Sequence, residues 1–328
     1  MSNGKKVRSL ITGGAGFIGS HLSEALLAKG HEVTVLDNLS TGRFENIEHL
    51  VDQPGFRFAI ENITNTVVMD RLMSECDLVF HLAAAVGVDL IVRDPVHVIE
   101  SNIFGSHAVM SAARRYRRKV LVASTSEIYG KTDKTPFSEE DDRLLGPTTK
   151  ARWAYSTSKA MSEYLALAFH RQEDLPVVIF RLFNTVGPRQ TGRYGMVIPR
   201  FVQQALNGEK ITVYGDGKQS RSFCNVSDSV RAIIALSENE DAVGQVFNIG
   251  APEEISIENL ARRILTLVGS EGDEDRIVRI PYDEAYEDGF EDMQRRLPDT
   301  SKIENLVGWK PESSLNETLE HVIAYYRS

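Results

Sequence analysis

A chain of 328 residues exceeds one minimal core and suits one large domain or two fused lobes, since domains typically run to ~100–200 residues. With 42% hydrophobic and 25% charged residues, the composition is that of an ordinary globular protein and excludes a low-complexity chain. The net charge of −9 disfavours nucleic-acid or anionic-membrane partners, both of which require basic surface. Cys76 and Cys224 lie far apart and in no ligand spacing, so no metal site is expected, and two reduced thiols suit a cytoplasmic chain. No apolar run approaches the ~18–20 residues that span a bilayer. The start MSNGKKVRSLITGG leads from a short basic stretch into a strand, so neither membrane segment nor signal peptide is expected.

Val7 to Thr12 is a short apolar run ended by Gly13-Gly14. From Phe17 to Lys29 apolar residues recur at helical spacing until Gly30, and His31 to Leu36 is a β-branched strand ending at Asp37. This is a βαβ unit. Phe56–Ile60, Leu78–Leu82, Lys119–Ala123 and Pro176–Phe180 supply further strands with helical stretches between them. The alternation predicts an α/β fold with a parallel, doubly wound sheet. After Arg181, glycines and prolines punctuate a loop-rich segment before a helix over roughly Pro199–Asn207, and a second lobe begins there. Gln245–Ile249 reads as a strand that returns to the main sheet. The acidic stretch Glu284–Asp292 reads as a solvated loop.

Gly14-Ala15-Gly16-Phe17-Ile18-Gly19 fits GxGxxG after a strand and at the start of a helix, the context that gives this motif its meaning. Glycines let backbone approach a pyrophosphate, and the helix N-terminus offers unpaired N–H groups and positive dipole. Asp37 lies eighteen residues beyond Gly19, where a carboxylate accepts both ribose hydroxyls of NAD and repels a 2′-phosphate. NAD is therefore the expected cofactor; a bare tight turn with a capping carboxylate is the competing reading.

Tyr155 and Lys159 stand four residues apart and share a face if the segment is helical, as Ala160–His170 suggests. A neighbouring cation lowers a phenol's pKa and makes it a usable general base. The same pair on an exposed helix would mean nothing; downstream of a dinucleotide fingerprint it points to catalysis.

GGAGFIGSHL, LDNLSTG, HLAA, STSEIYG, YSTSK, RLFNTVGPR and YGDGKQSRSF occur in this order, and in them the chain resembles the extended short-chain dehydrogenase/reductase family of nucleotide-sugar enzymes. The resemblance implies a Rossmann domain over residues 1–183, rejoined by about 224–250, and a nucleotide-sugar lobe over 184–223 and 251–328. It implies NAD contacts from Gly13, Gly16, Phe17, Ile18, Gly19, Asp37, Asn38, Asn62, Ile63, Leu82, Ala83, Ala84, Asn102 and Ser124, besides Tyr155 and Lys159. For the UDP-sugar it implies Val86, Ser126, Asn184, Arg189, Val197, Val213, Tyr214, Arg221 and Arg296. Tyr155 would take the proton of the sugar C4 hydroxyl, and Lys159 would lower its pKa and hold the nicotinamide ribose. Ser124 or Thr125, with Ser126, would bond the substrate oxygen, or cap the next helix instead. A homodimer packed through the helices containing Ser106–Tyr116 and Tyr155–His170 is also implied.

Within the family, 4,6-dehydratases carry Asp-Glu where Ser126-Glu127 stands, and many 4-epimerases have a small or apolar residue in place of Glu127. UDP-glucuronate decarboxylases share the Ser/Thr-Glu pair, and some relatives share an Arg-Trp-x-Tyr stretch like Arg152–Tyr155. Gly289–Asp292 followed by Arg295–Asp299 is similar to the same group. These residues favour decarboxylation of UDP-glucuronate toward UDP-xylose, with Glu127 in proton management and Arg221 near the substrate carboxylate or diphosphate. Arg189 could instead brace the two lobes. Val186 and Thr191–Val197 differ from the decarboxylase loops, so a 4-epimerase of a UDP-sugar or UDP-glucuronate stays open, as does an NAD-binding protein without turnover.

Overall fold

The computed structural model describes residues 6–87, 90, 93–192, 196–281, 284 and 293–327. Seven parallel strands form the central sheet: β1 (Arg8–Thr12), β2 (Glu32–Asp37), β3 (Phe56–Ile60), β4 (Leu78–His81), β5 (Lys119–Thr125), β6 (Val177–Leu182) and β11 (Val246–Ile249). Their order is β11-β6-β5-β4-β1-β2-β3. The strands are apolar runs because both faces are covered: β4 and most of β1, β5 and β6 are buried, as parallel sheets require.

One face packs on the helix α1 (Phe17–Ala28) and the helix Val226–Glu238, through Leu22, Leu26, Val230 and Ile233. The other packs on α2 (Thr66–Glu75) and the helices Pro95–Tyr116 and Arg152–Glu173, through Met69, Met73, Val109, Met110 and Ala166. Burial of each of the Leu, Ile, Val and Met side chains among these contributes about 1.5–3 kcal/mol.

Gln245–Ile249 meets its expectation: β11 pairs with β6 at the sheet edge. A separate core gathers Ile198, Phe201, Val202, Ile211, Val213, Leu260, Ile264, Leu319 and Val322. These come from the helices Val197–Leu206, Ile257–Leu267 and Leu315–Arg327 and from β8 (Ile211–Tyr214), which pairs with β13 (Ile277–Ile280). Shorter pairs join β7 (Thr185–Val186) to β10 (Cys224–Asn225), and β9 (Ser220–Ser222) to β12 (Glu254–Ser256). The acidic stretch Glu284–Asp292 lies, apart from Glu284, outside the described residues. Among the described residues no helix is long and apolar enough to cross a membrane.

Candidate active site

β1 and β4 are neighbours, so the chain reverses direction across the sheet at that point. Ligands in open α/β folds bind outside the carboxyl ends of the strands at such a switch, and a cavity of about 760 Å³ lies there. Its walls include the residues that follow β1, β2, β4, β5 and β6, together with residues of the second core.

At the β1 end, Gly13, Gly16, Phe17, Ile18 and Gly19 line the cavity. Gly13 has φ +74° and a Cβ there would lie 2.7 Å from Ala83 N; one on Gly19 would lie 2.2 Å from the carbonyl oxygen of Gly13. The turn therefore admits no side chain at either position, and backbone forms the floor. Gly14, the first glycine of the motif as spelled above, instead faces Val35, with its added Cβ 2.5 Å from that side chain.

Asp37 is buried at the end of β2 and accepts from Ala15 N at 3.0 Å and Leu39 N at 2.8 Å. Burial raises its pKa against the lowering by these backbone bonds. Asn38, Asn62, Ile63, Leu82, Ala83 and Ala84 complete this wall. Ser124 also lines it, and its buried hydroxyl has no hydrogen-bond partner among the described residues.

Asn102 departs from its expected place. It does not line the cavity but lies behind the wall: Oδ1 accepts from Ala85 N at 2.9 Å, and Nδ2 donates to Ala85 O at 3.2 Å and to Ser158 Oγ at 3.1 Å. It holds the Ala85 loop to the Tyr155 helix. A dinucleotide fits this half of the cavity on four observations: the side-chain-free turn, the helix N-terminus, the Asp37 carboxylate and the orphaned Ser124 hydroxyl.

Tyr155 and Lys159 meet on the cavity side of the Arg152–Glu173 helix, and both are buried. The hydroxyl that reaches the Tyr155 phenol belongs to Thr125, which separates it from Ser124 and Ser126 as the phenol's partner. Burial and the charge of Glu127 push the phenol pKa above its usual value. Against the lowering expected from Lys159, desolvation of the phenolate outweighs the cationic neighbours. Burial pulls Lys159 down to about 8, against the raising influence of Glu163.

Glu127 departs further from expectation. Arg152 Nη2 donates to its Oε1 at 2.8 Å, Arg152 Nη1 contacts Oε2, and Arg296 Nη2 donates to Oε1 at 2.7 Å. Burial would raise its pKa, yet the two guanidiniums prevail and hold it at about 2. It carries no proton near neutrality, so proton management fits it poorly in this state; it anchors two arginines instead. Arg152 is the participant that the sequence reading left out of the site, although its Arg-Trp-x-Tyr stretch was visible.

Backbone pairs deliver Arg296: Ser220 N donates to Gln294 O, Ser222 N to Arg296 O and Phe137 N to Leu297 O. Arg221 lines the cavity from β9, with Nη1 donating to Ser220 O at 2.7 Å. Val86, Ser126, Asn184, Val197 and Tyr214 line it too. Val213 does not. Alternation along β8 turns Ile211 and Val213 into the second core and Thr212 and Tyr214 outward, so its place among the substrate contacts is corrected. Arg189 reaches the wall, but its guanidinium bonds Glu24 at 2.5 Å and Ser20 at 3.2 Å on α1. Those bonds fit the bracing alternative.

Known proteins resemble the chain along nearly its whole length. The chain is 42% identical over 323 residues to a UDP-N-acetyl-α-D-glucosaminuronate decarboxylase of Bacillus cytotoxicus, covering 98% of each chain. It is 38% identical over 327 residues to UDP-glucuronic acid decarboxylase 1 of Xenopus tropicalis, covering 100% of this chain and 74% of that one. Among solved structures it superposes with a TM-score of 0.87 and 29% identity on UDP-glucuronic acid 4-epimerase from Bacillus cereus in complex with UDP-glucuronic acid and NAD. That match covers 98% of this chain and 99% of that one. The family model described as GDP-mannose 4,6 dehydratase matches residues 10–322, and the chain belongs to that family of NAD-dependent epimerases and dehydratases.

Proposed function

We propose that the chain is an NAD-dependent decarboxylase of a UDP-hexuronate, acting through a 4-keto sugar. The observation that carries the reading is the pair of guanidiniums, Arg152 and Arg296, at the cavity wall beside Tyr155 and Thr125. Arginine forks match a carboxylate in shape and charge. The two decarboxylase relatives support the same reaction, and their names offer two substrates: UDP-glucuronate and its 2-acetamido counterpart.

NAD, when bound, supplies the oxidation at sugar C4 and its later reversal, and its positive charge adds to that of Lys159 in favouring the Tyr155 phenolate. Tyr155 takes the C4 hydroxyl proton. Thr125, with Ser126 beside it, bonds the same oxygen. Once C4 is a ketone, the C6 carboxylate is β to it. The C5–C6 bond then breaks, CO2 leaves, and the electron pair enters an enolate whose oxygen the Tyr155 and Thr125 hydroxyls stabilise; a proton taken up from solvent water then reaches C5, so that one proton is consumed for each CO2 released. Glu127, ionised, keeps both arginines oriented rather than moving a proton. Arg221 suits the diphosphate. Asp37 selects NAD over NADP, and the lobe formed by residues 184–223 and 251–328 holds the sugar nucleotide.

A homodimer belongs to the same reading. Val96, Ile99 and Phe104 on the Pro95–Tyr116 helix and Met161 and Tyr164 on its neighbour expose large apolar side chains; light scattering of the purified protein tests it.

The deciding experiment incubates the protein with catalytic NAD and either UDP-glucuronate or UDP-N-acetylglucosaminuronate, followed by proton NMR. The expected product is UDP-xylose or the corresponding 2-acetamido pentose. Galacto-configured uronate would instead establish 4-epimerisation, the reading that the solved 4-epimerase supports, and conversion of neutral UDP-hexoses alone would overturn both.

A further inference from the structure

A file of buried hydroxyls with one histidine in it runs beneath the Tyr155 helix. His81, the last residue of β4, is 1% exposed. Its Nδ1 lies 2.9 Å from Thr12 Oγ1 and its Nε2 lies 3.1 Å from Ser106 Oγ. Ser106 Oγ reaches Ser162 Oγ at 2.9 Å, and Ser162 Oγ reaches the carbonyls of Ser158 at 3.1 Å and Asn102 at 3.3 Å. At the other end Ala83 N donates to Thr12 Oγ1 at 3.4 Å.

One assignment of protons satisfies every group. The Ser162 hydroxyl donates to the carbonyls, which only accept, and Ser106 donates to Ser162. Ser106 therefore accepts from His81 Nε2–H. Nδ1, left without a proton, accepts from the Thr12 hydroxyl, whose lone pair takes Ala83 N–H. One neutral tautomer satisfies the whole file. An imidazolium would aim a second N–H at Thr12 and leave that hydroxyl's proton without an acceptor among these groups. The ionic surroundings agree: burial, and then the charge of Lys159, hold the His81 pKa down to about 3.

The two ends of the file matter. Thr12 immediately precedes the glycine turn, and Ser158 immediately precedes Lys159 and donates from its hydroxyl to the carbonyl of Tyr155 at 2.8 Å. We propose that His81 is a positioning residue which, as the Nε2–H tautomer, sets the spacing between the glycine turn and the helical turn bearing Tyr155 and Lys159. This rests on the reading of Tyr155 and Lys159 as the catalytic pair.

The test begins with the intact protein carrying 15N-labelled histidine, observed by long-range proton–nitrogen NMR, with the His81 signal identified by its loss in His81→Gln. The expected signal is that of a neutral Nε2–H imidazole, unchanged from about pH 6 to 9. An Nδ1–H or doubly protonated ring at pH 7 would overturn the proposal. Two variants then divide the file: His81→Gln can place an amide N–H toward Ser106, and His81→Asn an oxygen toward Thr12. Each variant keeps one link of the file and breaks the other, so both should lose about tenfold in kcat with KM for the sugar nucleotide little changed, since small displacements of a catalytic group are costly. Turnover equal to that of the unaltered protein in both variants would overturn the positioning role. If either variant fails to fold by its urea midpoint, the tautomer signal decides. Tyr155→Phe run alongside separates the two ideas: full turnover there would sink the catalytic reading and leave the tautomer result standing.

Discussion

Arg152 Nη2 lies 2.8 Å from Glu127 Oε1 in a pair that water barely reaches, with side-chain exposures of 2% and 11%. Removing one partner of such a pair strands a buried charge and typically costs ~3–5 kcal/mol. Arg152→Met should therefore lower the unfolding free energy by about that amount in a urea titration, with the remaining partner Arg296 at 2.7 Å reducing the loss. A loss below ~1 kcal/mol would show that the pair does not brace the site. The pH dependence follows from the depressed carboxyl. Its folded pKa of about 2 lies below the unfolded value of ~4.3, so the stability it contributes is complete above the unfolded value. It is lost as pH falls toward about 2, and Glu127→Gln should lack that part of the acid transition.

Tyr155 and Thr125 stand together at the cavity wall, with the Thr125 hydroxyl acting on the phenol. Tyr155→Phe removes the base and keeps the ring, so kcat should fall by about 10²–10⁴-fold. NAD affinity, measured by calorimetry, should stay within about twofold, because the turn, Asp37 and Lys159 are untouched. Near-normal turnover would show that another group takes the proton.

Local pattern made the sheet legible before any coordinates. The alternation of apolar runs and helical stretches places β1 to β6 and β11 within a few residues of their observed limits, because each run is too short for a helix and is bounded by turn residues or helical stretches. The glycine turn and the Tyr155–Lys159 spacing are equally local. What escaped was long-range: Glu127 meets Arg152 across 25 residues and Arg296 across 169, and no periodicity reports that meeting. Val213 was misplaced because its neighbour Tyr214 does reach the cavity, and only the register of β8 against the second core separates the two. Asn102 acts one layer behind the wall, a distinction that spacing does not encode.

Asp37 offers a test of cofactor choice. Its carboxylate faces the cavity and a Cβ on Gly42 would sit 2.9 Å from both its oxygens, so the space around it is already close-packed. Asp37→Asn removes the charge that repels a 2′-phosphate and keeps the shape, so the NAD-over-NADP preference should narrow by at least about tenfold. An unchanged ratio of the two dissociation constants would mean that discrimination lies elsewhere.

Lys159 gives a prediction in which activity and stability move in opposite directions. Burial lowers its folded pKa to about 8, below the unfolded value of ~10.4. As pH rises through about 8 the ammonium is lost and kcat should fall on that limb. Across the same window the unfolded chain binds more protons than the folded one, so the contribution of Lys159 to stability rises with pH. Lys159→Arg keeps its charge at every accessible pH and should show a lower kcat without the limb near 8. Lys159→Met should lack the rise in stability. A limb that persists unchanged in Lys159→Arg would assign the titration to a different group and leave Lys159 with only a binding task.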